Sequence, residues 1–227
     1  MGLNDVYIAF IDDCINTSMK NFRGKKMLEL GNQIIRKGNI SEKTGKEYYK
    51  NRGVIHTSID LNGEDGALKI DLSKQFMDKK WSNGFDIITN SGTTEHIEPK
   101  KAQYIAFMNI HNWMKVGGIA VHLVPDINEL EINGKWRKHC NNYYSMNFFE
   151  ILAYENNYEL KSLKIINGLV CACLKKMQDN PFMNDEYKFL NAIVRKKGGI
   201  VYPGINEIGI RKIIRSLRSL VGNYSSN

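Results

Sequence analysis

The sequence predicts an α/β protein: a doubly wound, mostly parallel seven-stranded sheet with its last strand antiparallel, followed by a helical C-terminal extension. Three observations carry this. Short apolar runs of strand length alternate with amphipathic or polar segments of helix length, the pattern that right-handed crossovers impose on parallel strands. The first three runs end on acidic residues, Glu29, Asp60 and Asp71, where a crevice opens beyond the carboxyl ends of such strands. The last two runs are joined by Asn167-Gly168, the strongest short hairpin signal, so one strand there must reverse.

Residues 5–22 form an amphipathic helix in this reading, with Val6, Phe10, Cys14 and Thr17 on a loosely apolar stripe. Lys26-Met27-Leu28-Glu29-Leu30 is the first strand, since Met27, Leu28 and Leu30 fill both of its faces. Gly31 follows because the backbone must bend there and leave room for something to lie against it. Residues 32–43 are polar and basic; a helix then starts at Thr44 and stops near Gly53. Residues 54–61 are the second strand, and Asn62-Gly63-Glu64-Asp65-Gly66 is a turn cluster. Residues 67–72 are a short third strand. Phe85-Asp86-Ile87-Ile88-Thr89 is the fourth, followed by Asn90-Ser91-Gly92-Thr93-Thr94-Glu95-His96.

Residues 99–116 predict a helix with Tyr104, Phe107, Met108, His111 and Met114 on one face and Gly117-Gly118 as its stop. Residues 118–124 are the fifth strand, with Pro125 beyond it. Ser145 caps a helix through Phe148, Ile151 and Leu152. Residues 160–166 and 169–175 are the final hairpin. Residues 1–178 thus make one domain, and residues 179–227 a basic extension. In its last helix Ile210, Ile213, Ile214 and Leu217 oppose Arg211, Lys212, Arg215 and Arg218.

At 227 residues, 42% hydrophobic and 25% charged, the composition is that of a globular protein with a substantial core. The formal net charge of +8 favours anionic partners, although charge alone speaks to association rather than to one ligand. No apolar run approaches the ~20 residues of a membrane span. Asp5, Asp12 and Asp13 do not suit a signal peptide, and Val6 stands where a myristoylation motif wants Ser or Thr. Cys14, Cys140, Cys171 and Cys173 form no CxxC pair, so a reduced, cytoplasmic protein is expected.

A carboxylate at the end of the second strand, here Asp60, can accept both hydroxyls of a ribose. A dinucleotide would also need a pyrophosphate cradle, and the GxGxxG pattern is absent. A nucleoside attached to a charged amino acid fits better.

The ordered set Leu28-Glu29-Leu30-Gly31, Ser58-Ile59-Asp60, Ile70-Asp71-Leu72, Phe85-Asp86-Ile87-Ile88-Thr89-Asn90 and Lys115-Val116-Gly117-Gly118-Ile119 resembles the class I S-adenosylmethionine-dependent methyltransferases. The likeness runs over residues 25–176, and each motif is weak alone. It implies S-adenosylmethionine as cofactor, with S-adenosylhomocysteine as product. Carried over by position, Glu29, Gly31 and Asn32 border the methionine part. Asp60 with Leu61 meets the ribose, Asp71 with Leu72 the adenine, and Asn90 and Ser91 lie beside the sulfonium. One departure stands out: the family writes a second glycine where this chain has Asn32-Gln33, and the helix starts late. The methionine end is therefore expected to be held differently.

A hydroxyl acceptor also needs a base. His96, directly after the fourth strand, and His139, in the polar loop after the fifth, are the catalytic candidates. Glu95, His122, Tyr143 and Tyr144 are the acceptor-binding candidates, although packing roles for His122 and the tyrosines compete; His111 reads as structural. Some superfamily members bind a divalent metal through Glu-x-x-Glu-His and a later histidine. Here the first position is Gly92, so a site from Glu95, His96 and His139 is the weaker alternative and no metal is expected.

Nucleic-acid amino-methyltransferases carry Asn/Asp-Pro-Pro-aromatic after the fourth strand, where this chain reads Asn90-Ser91-Gly92-Thr93. The expected activity is O-methylation of a small anionic, sugar- or nucleotide-linked metabolite. The resemblance further suggests a surface-glycan precursor and polysaccharide biosynthesis. An RNA methyltransferase and a non-catalytic S-adenosylmethionine-binding partner subunit remain the alternatives.

Overall fold

A computed structural model describes residues 2–36, 38–128 and 140–193. His139 and the expected last helix lie outside the described residues. Within them the chain runs α1 (Asp5–Ser18), β1 (Lys26–Leu30), α2 (Gly45–Asn51), β2 (Ile55–Asp60), β3 (Leu68–Lys69) and β4 (Phe85–Ser91). A 3-10 turn (Thr94–His96) follows, then α3 (Ala102–Trp113), β5 (Met114–Pro125), α4 (Met146–Glu155), β6 (Tyr158–Ile166), β7 (Leu169–Lys176) and α5 (Glu186–Ile193).

The seven strands form one sheet in the order β3-β2-β1-β4-β5-β7-β6. β1 to β5 pair in parallel, and β7 runs antiparallel to both β5 and β6. The Asn167-Gly168 turn reverses the chain with φ of 49° and 76°, the double positive φ that a two-residue hairpin requires.

Strand alternation divides the core into two layers. Met27, Ile87, Ile119, Val121, Leu123, Cys171 and Cys173 face α1 and the tyrosines of α2. Leu28, Leu30, Ile88 and Ala120 face α3. Toward β7 on that second side, Val170, Ala172 and Leu174 pack with Phe107, Phe148, Phe149, Phe182 and Phe189. Both faces are covered, which is why the strands read as continuous apolar runs.

Three element expectations need correction. In α1, Phe10 and Cys14 are buried but Val6 and Thr17 are exposed; the inward face is wider and centred on Ile8, Ile11 and Ile15. At about 100° per residue, Val6 and Thr17 lie within about 20° of each other and on the opposite side of Phe10 and Cys14 from Ile8, Ile11 and Ile15, so the four marked only one margin of the face. The third strand has two residues instead of six, because it meets β2 only at that strand's last two residues, Ile59 and Asp60, and β2 ends there. The third helix ends at Trp113, since Met114 already pairs with Phe85. Gly117 and Gly118 do not stop it; they make an irregular step inside β5. Gly117 has φ +79°, and a Cβ on Gly118 would lie 3.0–3.1 Å from the carbonyl oxygens of Asp86 and Phe85.

Candidate functional site

In the sheet, β2 lies on one side of β1 and β4 on the other, so successive connections leave β1 and β4 in opposite directions. A crevice opens at such a switch point beyond the carboxyl ends of the strands. Register brings Leu30 beside Ile59 and Asn90, and Asn90 beside His122. The segments after β1, β2 and β4 therefore converge on one rim.

The turn after β1 is tight. Gly31 has φ +81°, and its N–H donates to the Ile59 carbonyl at 2.8 Å. A Cβ there would sit 2.7 Å from Thr93 Oγ1 and 2.8 Å from Gln33 Nε2, so glycine is required sterically as well as conformationally. Thr93 Oγ1 donates to the Leu30 carbonyl at 2.6 Å, tying the segment after β4 across the end of β1. Glu29 is enclosed behind the turn: it accepts from Gln33 N at 3.4 Å and lies 3.5 Å from His56 Nε2. It braces the loop.

Asp60 is half-buried at the rim. Its two oxygens accept from Asn32 N and Asn62 N, each at 3.3 Å, which leaves further lone pairs on both. Asn32 also reaches Asp65 through Nδ2. Leu61 is exposed and Leu72 buried. Asp71 is engaged locally, accepting from Ser73 Oγ at 2.5 Å and Ser73 N at 3.1 Å and pairing with Lys74. The Ser73 hydroxyl is the main reason its carboxyl is held below the usual range. Any contact from Asp71 to a bound base would share these oxygens.

At the exit of β4, the Asn90 side chain is engaged within the protein through both its nitrogen and its oxygen. Its Nδ2 donates to Thr94 Oγ1 at 2.8 Å and bonds His122 Nδ1 at 3.1 Å, while its Oδ1 accepts from Thr94 N at 3.2 Å. His122 thus carries its proton on Nε2, and burial pushes its pKa down to about 3, so the ring is neutral. The Tyr144 hydroxyl bonds Gln103 Oε1 at 2.7 Å and Thr94 Oγ1 at 3.0 Å; Gln103 Nε2 in turn donates to the Thr94 and Ile97 carbonyls. His122 and Tyr144, expected to touch the acceptor, are here buried supports of the loop above them. Tyr143 is buried with Ile127 and Cys140. His111 bridges Tyr158 and the Asn180 carbonyl and is structural, as its place on the apolar stripe implied.

Glu95 differs from all of these. It is fully buried, yet neither carboxylate oxygen has a hydrogen-bond partner. Its backbone carbonyl is held by Asn141 N at 3.1 Å, Asn142 N at 3.0 Å and Asn142 Nδ2 at 3.2 Å. His96 Nε2 lies 3.8 Å from Oε1, on a partly exposed ring. Burial raises the Glu95 pKa to about 8. The side-chain oxygen of Asn142 is likewise buried without a donor. A buried acceptor group with no donor calls for a partner that brings one.

The structure puts Glu95 and His96 in the turn that follows β4, and Gln33, Thr93, Gln103 and Asn142, which sequence reasoning did not name as site residues, stand around that turn and the one after β1. Gln33 alone left a signal, standing where the family writes its second glycine. Among the described residues, no group of three or more His, Cys, Asp or Glu could hold a metal ion, and no helix is long and apolar enough to cross a membrane.

No protein-family model and no curated protein matches the chain. Solved structures do match in shape. The N-methyltransferase NodS from Bradyrhizobium japonicum, in complex with S-adenosylhomocysteine, has a TM-score of 0.55 at 14% identity and covers 77% of this chain and 89% of its own. The PH0226 protein of Pyrococcus horikoshii has a TM-score of 0.52 at 14% identity, covering 75% and 90%. A chain from the complex of the Haloferax volcanii Trm112 methyltransferase activator gives 0.51 at 11%, covering 74% and 90%. Together with the strand order, these matches identify the fold as that of the class I S-adenosylmethionine-dependent methyltransferases.

Proposed function

We propose that this chain is a cytoplasmic methyltransferase that uses S-adenosylmethionine to methylate a hydroxyl of a small anionic, sugar- or nucleotide-linked metabolite, such as a surface-glycan precursor. The observation that carries the reading is Glu95: a fully buried carboxylate without a donor, one residue from a partly exposed histidine, at the end of β4.

The residues of the crevice fit the cofactor. Asp60 keeps acceptor capacity at the end of β2 for ribose hydroxyls, and the Gly31 turn offers a surface without a side chain. When bound, the cofactor supplies a methyl group on a positively charged sulfur. The chain's own contribution is then alignment and removal of the acceptor proton. His96 takes that proton, and Glu95 lies 3.8 Å from its ring; the imidazolium that results favours ionisation of the Glu95 carboxyl, which burial otherwise holds neutral up to about pH 8. The Asn90–Thr94–Tyr144–Gln103 network keeps this pair in register with the end of β4. The net charge of +8 favours an anionic acceptor.

A second reading, an amine acceptor, is favoured by the same unpartnered oxygens, which an N–H would satisfy. The test is transfer of isotopically labelled methyl from S-adenosylmethionine into cell extract separated by size. Label should enter the small-molecule fraction, and the 13C shift of the transferred methyl distinguishes oxygen from nitrogen. His96→Ala and Glu95→Gln should each cut turnover by ~100-fold or more while cofactor affinity holds. Label in RNA, with tight salt-dependent RNA binding, would favour the nucleic-acid alternative. Cofactor binding without turnover would favour a partner subunit.

A further inference from the structure

Gln33 occupies the position where a glycine would leave the β1 turn open. Its backbone is held on both sides: N–H to Glu29 Oε2 at 3.4 Å, and its carbonyl accepting from Gly45 N at 3.0 Å. The side chain folds back over Gly31, with Nε2 3.5 Å from the Leu30 carbonyl. That carbonyl already accepts from Thr93 Oγ1 at 2.6 Å. With two donors already on that oxygen, a ligand would have to compete for the last backbone acceptor of β1. The Gln33 amide oxygen is buried, on a residue only 5% exposed, and has no hydrogen-bond partner.

We infer that Gln33 is a cofactor-binding residue whose Oε1 accepts a hydrogen bond from the α-ammonium of S-adenosylmethionine. The inference rests on the cofactor reading above and adds how this turn holds the amino-acid end. The ligand's carboxylate cannot be the partner of Oε1, since it has no proton to donate. The ribose hydroxyls belong with Asp60, on the β2 side of the turn. The Gln33 amide instead shares the Leu30 carbonyl with Thr93, which comes from the β4 side. A side-chain oxygen thus does at this turn what a free backbone carbonyl could do if Thr93 did not cap it.

Calorimetric titration of the full chain with three ligands tests this. S-adenosylhomocysteine carries both charged groups, decarboxylated S-adenosylmethionine only the ammonium, and 5′-methylthioadenosine neither. Gln33→Met, close in volume but without the oxygen, should weaken the first two by about tenfold to a hundredfold, the range for a hydrogen bond to a charged group. It should leave 5′-methylthioadenosine within about twofold. Gln33→Asn, which draws the amide back by one methylene, should show the same split by a smaller factor and serves if the Met variant fails to fold. Equal losses for all three ligands, or none, would overturn the assignment. Loss for S-adenosylhomocysteine alone would overturn it too, by pointing to the carboxylate. Wild-type protein that binds none of the three would refute the cofactor reading itself, a distinct failure.

Discussion

Replacing Glu95 by Gln should stabilise the protein, and increasingly so as the pH rises. The carboxylate is wholly buried with no donor to either oxygen, and burial moves its pKa from 4.5 to about 8. Below pH 4.5 it is protonated in both folded and unfolded chains and exerts no pull. Between pH 4.5 and 8 the unfolded chain releases the proton while the folded chain retains it, so stability falls as pH rises. Above pH 8 the penalty is complete. At about 1.4 kcal/mol for each pH unit between the two values, the ceiling is about 5 kcal/mol above pH 8 and about 3 kcal/mol at pH 7. Gln keeps the shape but brings an amide group that needs acceptors, which offsets about 1 kcal/mol of the gain. A net gain of about 2–4 kcal/mol at pH 8 should raise Tm by roughly 5–10 °C in a chain of this size. His111 and His122, held down to about 4 and 3 by burial, act in the other direction: they remove stability as pH falls below 6.5. Both proteins share that effect, so the difference between their urea-unfolding curves at pH 5 to 9, followed by tryptophan fluorescence, isolates Glu95. A difference that does not change with pH, or a variant less stable throughout, would mean that the carboxylate has partners in the fold and is not waiting for a ligand.

Three other perturbations probe different parts of the rim. Gly31→Ala forces a side chain into φ +81° and places its Cβ 2.7 Å from Thr93 Oγ1; it should cost about 2 kcal/mol in urea unfolding and weaken S-adenosylhomocysteine binding. Tyr144→Phe removes the hydroxyl shared by Gln103 and Thr94 and should lower stability by about 1–2 kcal/mol. Its effect on catalysis should fall on turnover rather than on cofactor affinity. Exhaustive chelation should leave turnover unchanged; a loss restored by one divalent ion would instead install a metal beside Glu95 and His96.

The mostly parallel sheet and its one reversed strand were legible because each buried strand carries its own apolar run and the Asn167-Gly168 turn declares the reversal. What escaped was set by pairing rather than by pattern. Met114 looks like the last apolar residue of a helix until Phe85 is beside it. The third strand looks six residues long until its partner β2 is seen to end at Asp60. At the site, the residues named from motifs stand at the ends of strands, where local sequence and location go together. Those that were missed act across long separations: Thr93 on Leu30, Gln103 on Thr94 and Tyr144, Asn142 on Glu95. No spacing in the chain announces such contacts. His122 shows the converse: a histidine in a strand has the chemistry of a ligand contact, and only its packing beside Phe107 and Asn90 makes it a support.

The most direct test of the account is calorimetric titration of the purified protein with S-adenosylhomocysteine, in parallel with Asp60→Ala. Micromolar binding by the wild type, lost on removal of the β2 carboxylate, is the result predicted by a crevice that holds the cofactor between β1, β2 and β4. Absence of binding by the wild type, or equal binding by the variant, would contradict it: the fold would then be that of a methyltransferase while the crevice serves some other ligand.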